Sequence, residues 1–335
     1  MQAGKSGKEK KIGGLSSSDE KSGSSKTLTK EKILQSRSTR FKLALAPRLR
    51  SLKFDMYLMS RSITAIIGLV LLAILIFIVA FPWIFAQPNY PDPYQMRFNL
   101  DYRLPQPPGT AGFPLGSGTN GADYYYGLIW GARVSMEFAV EVVGVSILIG
   151  TLLGLISGFK GGVIDEIIMR VTDVFLSIPS LILLMAIAST LGRDITSTKL
   201  ALIMVWWSGY TRLIRGQVLS IRENTYIDAA RAAGTSETRI MFRHILPNSW
   251  APVVVNATLD MGTVVLTLAG LSYIGLGVRY GTSEWGSMIQ EGQRYLVYGA
   301  WWMMIFPGIA IVSFVLAFNL IGDGLRDVLD PKMRR

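Results

Sequence analysis

The 335-residue chain contains no cysteine. That excludes a disulfide framework, a thiol nucleophile and a Cys-ligated metal. Its single histidine, His244, excludes a histidine-rich metal site and argues against a His-based catalytic centre. Charge is also scarce, at 17% of residues against the roughly 25% usual for soluble domains. Neither H-E-x-x-H nor G-x-S-x-G occurs. Asp260 and Asp323 adjoin apolar runs, but neither belongs to a paired acidic motif. These absences predict a non-catalytic chain with no metal or cofactor of its own.

What is abundant is apolar. Half of the residues are hydrophobic and the mean hydropathy is +0.36, with eight Trp and fourteen Met, as in a polytopic membrane protein. A membrane-crossing helix needs about 20 mainly apolar residues. Six runs qualify, near 62–86, 134–158, 163–191, 199–221, 249–276 and 301–322. Pro179 splits the third, whose apolar part is nearer 174–191. The fifth is unusually polar, with Asn256, Thr258, Asp260 and Thr263, and is expected to face other helices or a water-filled path. The expected fold is therefore an all-α membrane protein of six transmembrane helices.

The net charge of +11 is uneven. Residues 1–50 carry thirteen Lys/Arg against four acids, a net of +9, leaving about +2 for the remainder. This Ser-, Gly- and Lys-rich tail is expected to be largely disordered, because it offers little apolar surface to bury. No aromatic side chain precedes Phe41 for base stacking, so anionic lipid rather than nucleic acid is the expected neighbour. The first apolar run begins near residue 62, so no signal peptide is expected. Three regions follow: a basic tail over 1–50, a first membrane helix and outer loop over 51–133, and a five-helix core over 134–335 with a polar loop at 223–248.

Positive charge also sets orientation. The stretch from Arg212 to Ser249 holds Arg212, Arg215, Arg222, Arg231, Arg239 and Arg243. The 87–133 loop balances Arg97, Arg103 and Arg133 against Asp92, Asp101 and Asp123. Both termini and the 223–248 loop are expected in the cytoplasm. Gly150, Gly154 and Gly158 share one face of the second run, where they allow two helix backbones to approach closely. At the start of the third run, Asp165, Glu166, Arg170 and Asp173 form a boundary cluster. Local pairs are expected between Glu166 and Arg170, four apart, and between Arg170 and Asp173, three apart.

The polar loop carries its own helix signals. Thr225-x-x-Asp228 reads as a capping box, with Asp228 as part of the cap. Ala229, Ala230, Ala232 and Ala233 favour helix, and Gly234 suits the left-handed position that ends one. Ser236 can cap a second short helix over Glu237–Ile245, ended by Pro247. The product is a helix–glycine–helix elbow. Its small residues admit a close partner surface, and Ile240, Met241 and Phe242 could fill a groove. The alternative is a compact loop that covers the bundle end.

The spacing D-A-A-x-x-x-G followed by H-x-L-P resembles the loop of importer permeases of the ATP-binding cassette class. Asp228 stands where that family has Glu, and His244 where it has Ile. Phe113-Pro114-Leu115-Gly116, Gly161-Gly162-x-x-Asp165-x-x-x-Met169-Arg170-x-x-Asp173, Leu271-Ser272-Tyr273-Ile274-Gly275 and Gly322-Asp323-Gly324-Leu325-Arg326-Asp327 extend the likeness. It covers about 112–331 and resembles the C-type permease subunits of dipeptide and oligopeptide importers. The resemblance implies the type I importer permease fold. It also implies an elbow that docks into an ATPase subunit, with Asp228, Ala229, Ala230, Gly234, His244, Leu246 and Pro247 at the matching positions.

The implied partners are a second, homologous permease subunit, two ATPase subunits and an extracytoplasmic solute-binding protein. ATP and Mg would be held by the ATPases. Relatives of this class also import cello-oligosaccharides or nickel, and the residues leave those substrates open. Trp206, Trp207, Tyr210, Asn256 and Asp260 are candidates for lining the path, with packing as the alternative for each. An autonomous channel or membrane receptor is the reading from a different class. Such a protein would have no need of the elbow.

Overall fold

The computed structural model describes residues 62–329. The basic tail expected over 1–50 lies outside the described residues. Ser62 caps α1 (Ile63–Ala80), its hydroxyl accepting the Ala65 N–H. The helix breaks at Phe81–Pro82, because Pro82 has no N–H to continue the ladder, and one further turn, Pro82–Phe85, completes the expected run to about 86. Residues 86–123 run as turns and isolated bridges to Asp123, whose carboxylate caps α2 (Tyr124–Lys160).

At 37 residues, α2 starts ten positions before the apolar run and is about 55 Å long. Its first turns, with buried Tyr124, Tyr126 and Trp130, are helical but too aromatic and polar to read as a span. Gly161, at φ +66°, ends it. The third run is helical on both sides of its proline: α3 (Gly162–Ser177) and α4 (Ser180–Leu191) meet at 91° about Ile178–Pro179.

Asp194 caps α5 (Ile195–Arg222), its carboxylate accepting the Thr196 N–H at 2.9 Å. Beyond it lie α6 (Thr225–Ala232), α7 (Leu246–Ile274), α8 (Trp285–Tyr295) and α9 (Trp302–Leu329). Among the described residues four helices are long and apolar enough to cross a membrane, and the bent α3–α4 pair makes a fifth. The remaining expected span, 199–221, is a 28-residue helix. Trp206, Trp207, Tyr210, Arg212 and Arg215 make α5 too polar to pass as a span on composition.

Polarity does not leave α5 on the periphery. A Cβ on Gly150 would lie 2.4 Å from the Tyr210 Cβ, and one on Gly154 2.5 Å from the Thr211 carbonyl oxygen. The Gly150–Gly154–Gly158 face thus seats α5 directly on α2, as its spacing predicts. Phe138, Leu155, Leu202, Ile214, Leu268 and Phe314 bury the core shared by α2, α5, α7 and α9. In lipid this close fit, rather than water exclusion, holds helices together.

Candidate functional site

Three features cluster around α5: an elbow, an ionic belt and a cavity. At the elbow, α6 ends as its sequence predicts. Gly234 takes φ +75°, its N–H donates to the Arg231 carbonyl (2.9 Å), and the Thr235 N–H donates to the Ala230 carbonyl (3.1 Å). This is the Schellman closure, which satisfies the last carbonyls of the helix. The start differs from expectation. Asn224 occupies the N-cap position, so Thr225 is already helical and neither it nor Asp228 caps anything. Asp228 lies one position too far along and pairs with Arg231 at 3.2 Å. The Asn224 amide turns back to the Ile221 carbonyl (2.9 Å) and closes α5 instead.

The second half of the elbow does not stop at Pro247. One α-turn, Glu237–Ile240, passes through a π-turn, Met241–Ile245, into α7. The Leu246 N–H reaches back five residues to the Met241 carbonyl. Pro247 then falls in the first turn of α7, where a missing N–H costs little. Of the three apolar groove candidates, Ile240 and Met241 are buried in the chain's own core and only Phe242 is exposed. Asp228, Ala229, Gly234 and Pro247 are exposed, Ala230, His244 and Leu246 are half-buried, and Ile227 anchors α6 inward. The His244 carbonyl accepts the Asn248 side-chain amide at 2.6 Å.

The ionic belt joins α2, α3 and α5. Asp165 accepts a two-pronged bond from Arg215, at 2.6 and 2.7 Å, and a further bond from the Ser157 hydroxyl. Glu166 and Arg170 pair as expected, exposed and at 3.4 Å. The expected Arg170–Asp173 pair is absent: Asp173 binds Arg212 of α5. A guanidinium reaching across from the neighbouring helix holds that carboxylate instead of the one three residues away. Arg222 donates to the carbonyls of Gly158 (3.0 Å) and Phe159 (3.3 Å), satisfying the open end of α2. Sequence reasoning used these arginines for orientation and missed them as partners. The 50 residues between Asp165 and Arg215 leave no local signal of their pairing.

Above the belt, the bend between α3 and α4 opens a cavity of about 910 Å³ against α5 and α7. Trp206, Tyr210, Asn256 and Asp260 line it, as do Phe175, Pro179 and Arg212. Trp207 does not. Its indole N–H donates to the Met204 carbonyl (2.9 Å) and its ring packs on Phe175, centroids 5.3 Å apart. The Tyr210 hydroxyl donates to Asp260 Oδ2 at 2.6 Å and so ties α5 to α7.

At the end of the bundle opposite the elbow, sequence reasoning missed a buried carboxylate altogether. Glu284 caps α8, accepting the Gly286 and Ser287 N–H groups at 2.7 Å each. Burial pushes its carboxyl above the usual range, and those two bonds work in the opposite direction. Glu preceding Trp-Gly-Ser at a helix start was the available signal.

The comparisons with known proteins agree with this architecture. Residues 150–335 match the family "Binding-protein-dependent transport system inner membrane component". The dipeptide transport system permease protein DppC of Alkalihalophilus pseudofirmus is 39% identical over 270 residues, covering 81% of this chain and 86% of that protein. The di/tripeptide transport system permease protein DppC of Pseudomonas aeruginosa is 39% identical over 272 residues, covering 80% and 88%. Among solved structures, an inward-facing MetNI methionine ABC transporter matches with a TM-score of 0.50 at 20% identity, over 61% of this chain and 96% of that one. That likeness shows the fold alone, the type I importer permease arrangement. This chain belongs to the binding-protein-dependent transport system inner membrane components: it is a multi-pass membrane permease.

Proposed function

We propose that the chain is a permease subunit of an ATP-driven importer of short peptides. The substrate class rests on relatives that carry dipeptides and di- or tripeptides and align over four-fifths of this chain. The observation that carries the coupling role is the elbow. α6 presents Ala229 and Gly234 on an exposed surface, and nothing lies within 4 Å of where a Gly234 Cβ would be. A bare, small-residue helix end of this kind suits close approach by a partner.

In this reading Asp228, Ala229, Ala230, Gly234, His244, Leu246 and Pro247 form the docking elbow for an ATPase subunit. ATP and Mg sit in the two ATPases. A second permease completes the path, and a binding protein delivers the peptide from outside. Arg-rich loops favour the elbow and both termini on the cytoplasmic side. The tail over 1–50, the first helix and outer loop over 51–133, and the core over 134–335 then act as lipid anchor, outer contact and transport unit.

Because the elbow runs through the π-turn into α7 without a break, displacing it moves the helix that bears Asn256 and Asp260. ATP shifts the equilibrium only by binding the two states unequally.

The test is Gly234→Val in the intact transporter. A β-branched residue at a positive φ costs about 1–2 kcal/mol locally, so the helices should insert while ATP-driven uptake of Gly-Leu falls at least tenfold. Undiminished uptake would overturn the coupling role. Stabilisation of the binding protein by a cello-oligosaccharide or nickel, and not by a dipeptide, would replace the substrate.

A further inference from the structure

Among the described residues, Asp260 is the one carboxylate lining the cavity. Oδ2 takes the Tyr210 hydroxyl proton at 2.6 Å, and the Trp206 side chain lies beside the same carboxylate without a well-aligned hydrogen bond to it. The cavity's one cationic side chain, Arg212, is committed to Asp173 and not to Asp260. A half-buried carboxylate at membrane depth, fixed in orientation and without a cation, is the arrangement expected of a ligand site. Its neighbours supply the remaining chemistry: the Trp206 indole lines the wall beside the carboxylate, and Asn256 lies four residues, one helical turn, before Asp260 on α7.

We propose that Asp260, oriented by Tyr210, is a subsite for a positively charged nitrogen of the transported solute, an ammonium or guanidinium group. Asp260 touches the solute, and Tyr210 is a positioning residue that holds the carboxylate so that Oδ1 faces the cavity. The cation would replace its hydration shell with Oδ1 and the flanking polar atoms, an exchange that favours a charged nitrogen over a neutral one. The subsite would serve as a stepping point inside the path. Modest strength suits that role, since a transported group must also leave.

This deepens the peptide-importer reading and rests on it, so the probes separate the two. The complete transporter in lipid nanodiscs, without binding protein, is titrated with leucinamide, Gly-Leu, N-acetyl-Gly-Leu and N-acetyl-arginine amide, followed by saturation-transfer NMR. Leucinamide and Gly-Leu report an ammonium, the arginine derivative a guanidinium, and N-acetyl-Gly-Leu a backbone lacking either cation.

The expected result is binding of at least one cationic class, with N-acetyl-Gly-Leu roughly tenfold weaker or undetected. Asp260→Asn, which keeps an acceptor for Tyr210, should remove that difference. Tyr210→Phe should weaken cation binding less, by a few-fold. Equal binding of N-acetyl-Gly-Leu and the cationic probes overturns the subsite, as does no cation binding by the wild type, or equal cation binding by Asp260→Asn. An Asp260→Asn transporter that no longer holds its second permease also overturns it, assigning the carboxylate to the subunit interface. Uptake of Gly-Leu by the wild-type transporter with its binding protein decides the importer reading separately.

Discussion

The two ends of the helical bundle are built to opposite rules. At the Glu284 end, buried aromatic side chains tie the elements together. Trp285 donates to the Leu128 carbonyl, Tyr124 to that of Met288 and Trp302 to that of Ser117, and a Cβ on Gly286 would lie 2.4 Å from the Ala269 Cα. At the elbow end, α6 is anchored inward by Ile227, a Cβ on its stop glycine Gly234 would meet nothing within 4 Å, and its ion pair is exposed. The contrast separates a scaffold that resists change from a surface left open to a partner. Local opening costs least where few apolar contacts are buried.

Two glycines give the sharpest break of that comparison. Gly286→Val drives a branched side chain into the backbone of α7 and should cost about 3 kcal/mol or more, seen as failure to accumulate in membranes or a collapsed melting temperature. Gly234→Val should leave folding intact and strike transport alone. Equal damage from both would erase the distinction between the ends.

A middle-sized effect belongs to Glu284. Glu284→Ala removes the acceptor of two buried N–H groups and should cost about 2 kcal/mol in thermal unfolding. Its folded carboxyl is raised above the ordinary value of 4.5. The protonated form is therefore favoured by folding. That contribution is fully present below the unfolded value and is lost as pH rises through the folded one. Melting temperature followed upward from pH 4.5 should fall for the wild type relative to Glu284→Gln, which stays neutral throughout. Parallel curves would show that the two N–H bonds offset burial.

The smallest structural effect is expected for Phe242→Ala. Phe242 is 49% exposed, so stability should move by no more than about 0.5 kcal/mol. Affinity for the ATPase subunits, measured by co-purification across a detergent wash series, should drop by roughly tenfold if Phe242 is a docking anchor. No change in retention would leave the alanine–glycine surface to carry docking without it.

Legibility in the sequence followed the range of the interaction. The glycine stop of α6, the bend at Pro179 and the glycine face of α2 were all readable, because each depends on backbone geometry within a few residues. The cap at Thr225 and Asp228 was misread by one position: Asn224 begins the helix, and the chemistry of neighbouring polar residues is too alike to choose between them. Ile240 and Met241 looked free for a partner, yet the π-turn rotates them into the chain's own core. Glu284 went unnoticed because it sits in a loop outside every apolar run.

By itself, the sequence determined that this is a multi-pass helical membrane protein, where its elbow stops, and which permease family it resembles. Apolar run length, helix propensity and the sterics of glycine and proline act locally, so they survive reading in one dimension. Only the tertiary structure decided that Arg215 holds Asp165, that Arg212 takes Asp173 from Arg170, and that Tyr210 and Asp260 meet in a cavity while Trp207 turns away. Those choices join residues about 40 to 50 positions apart. They depend on which helix faces lie together, and no local pattern along the chain encodes that.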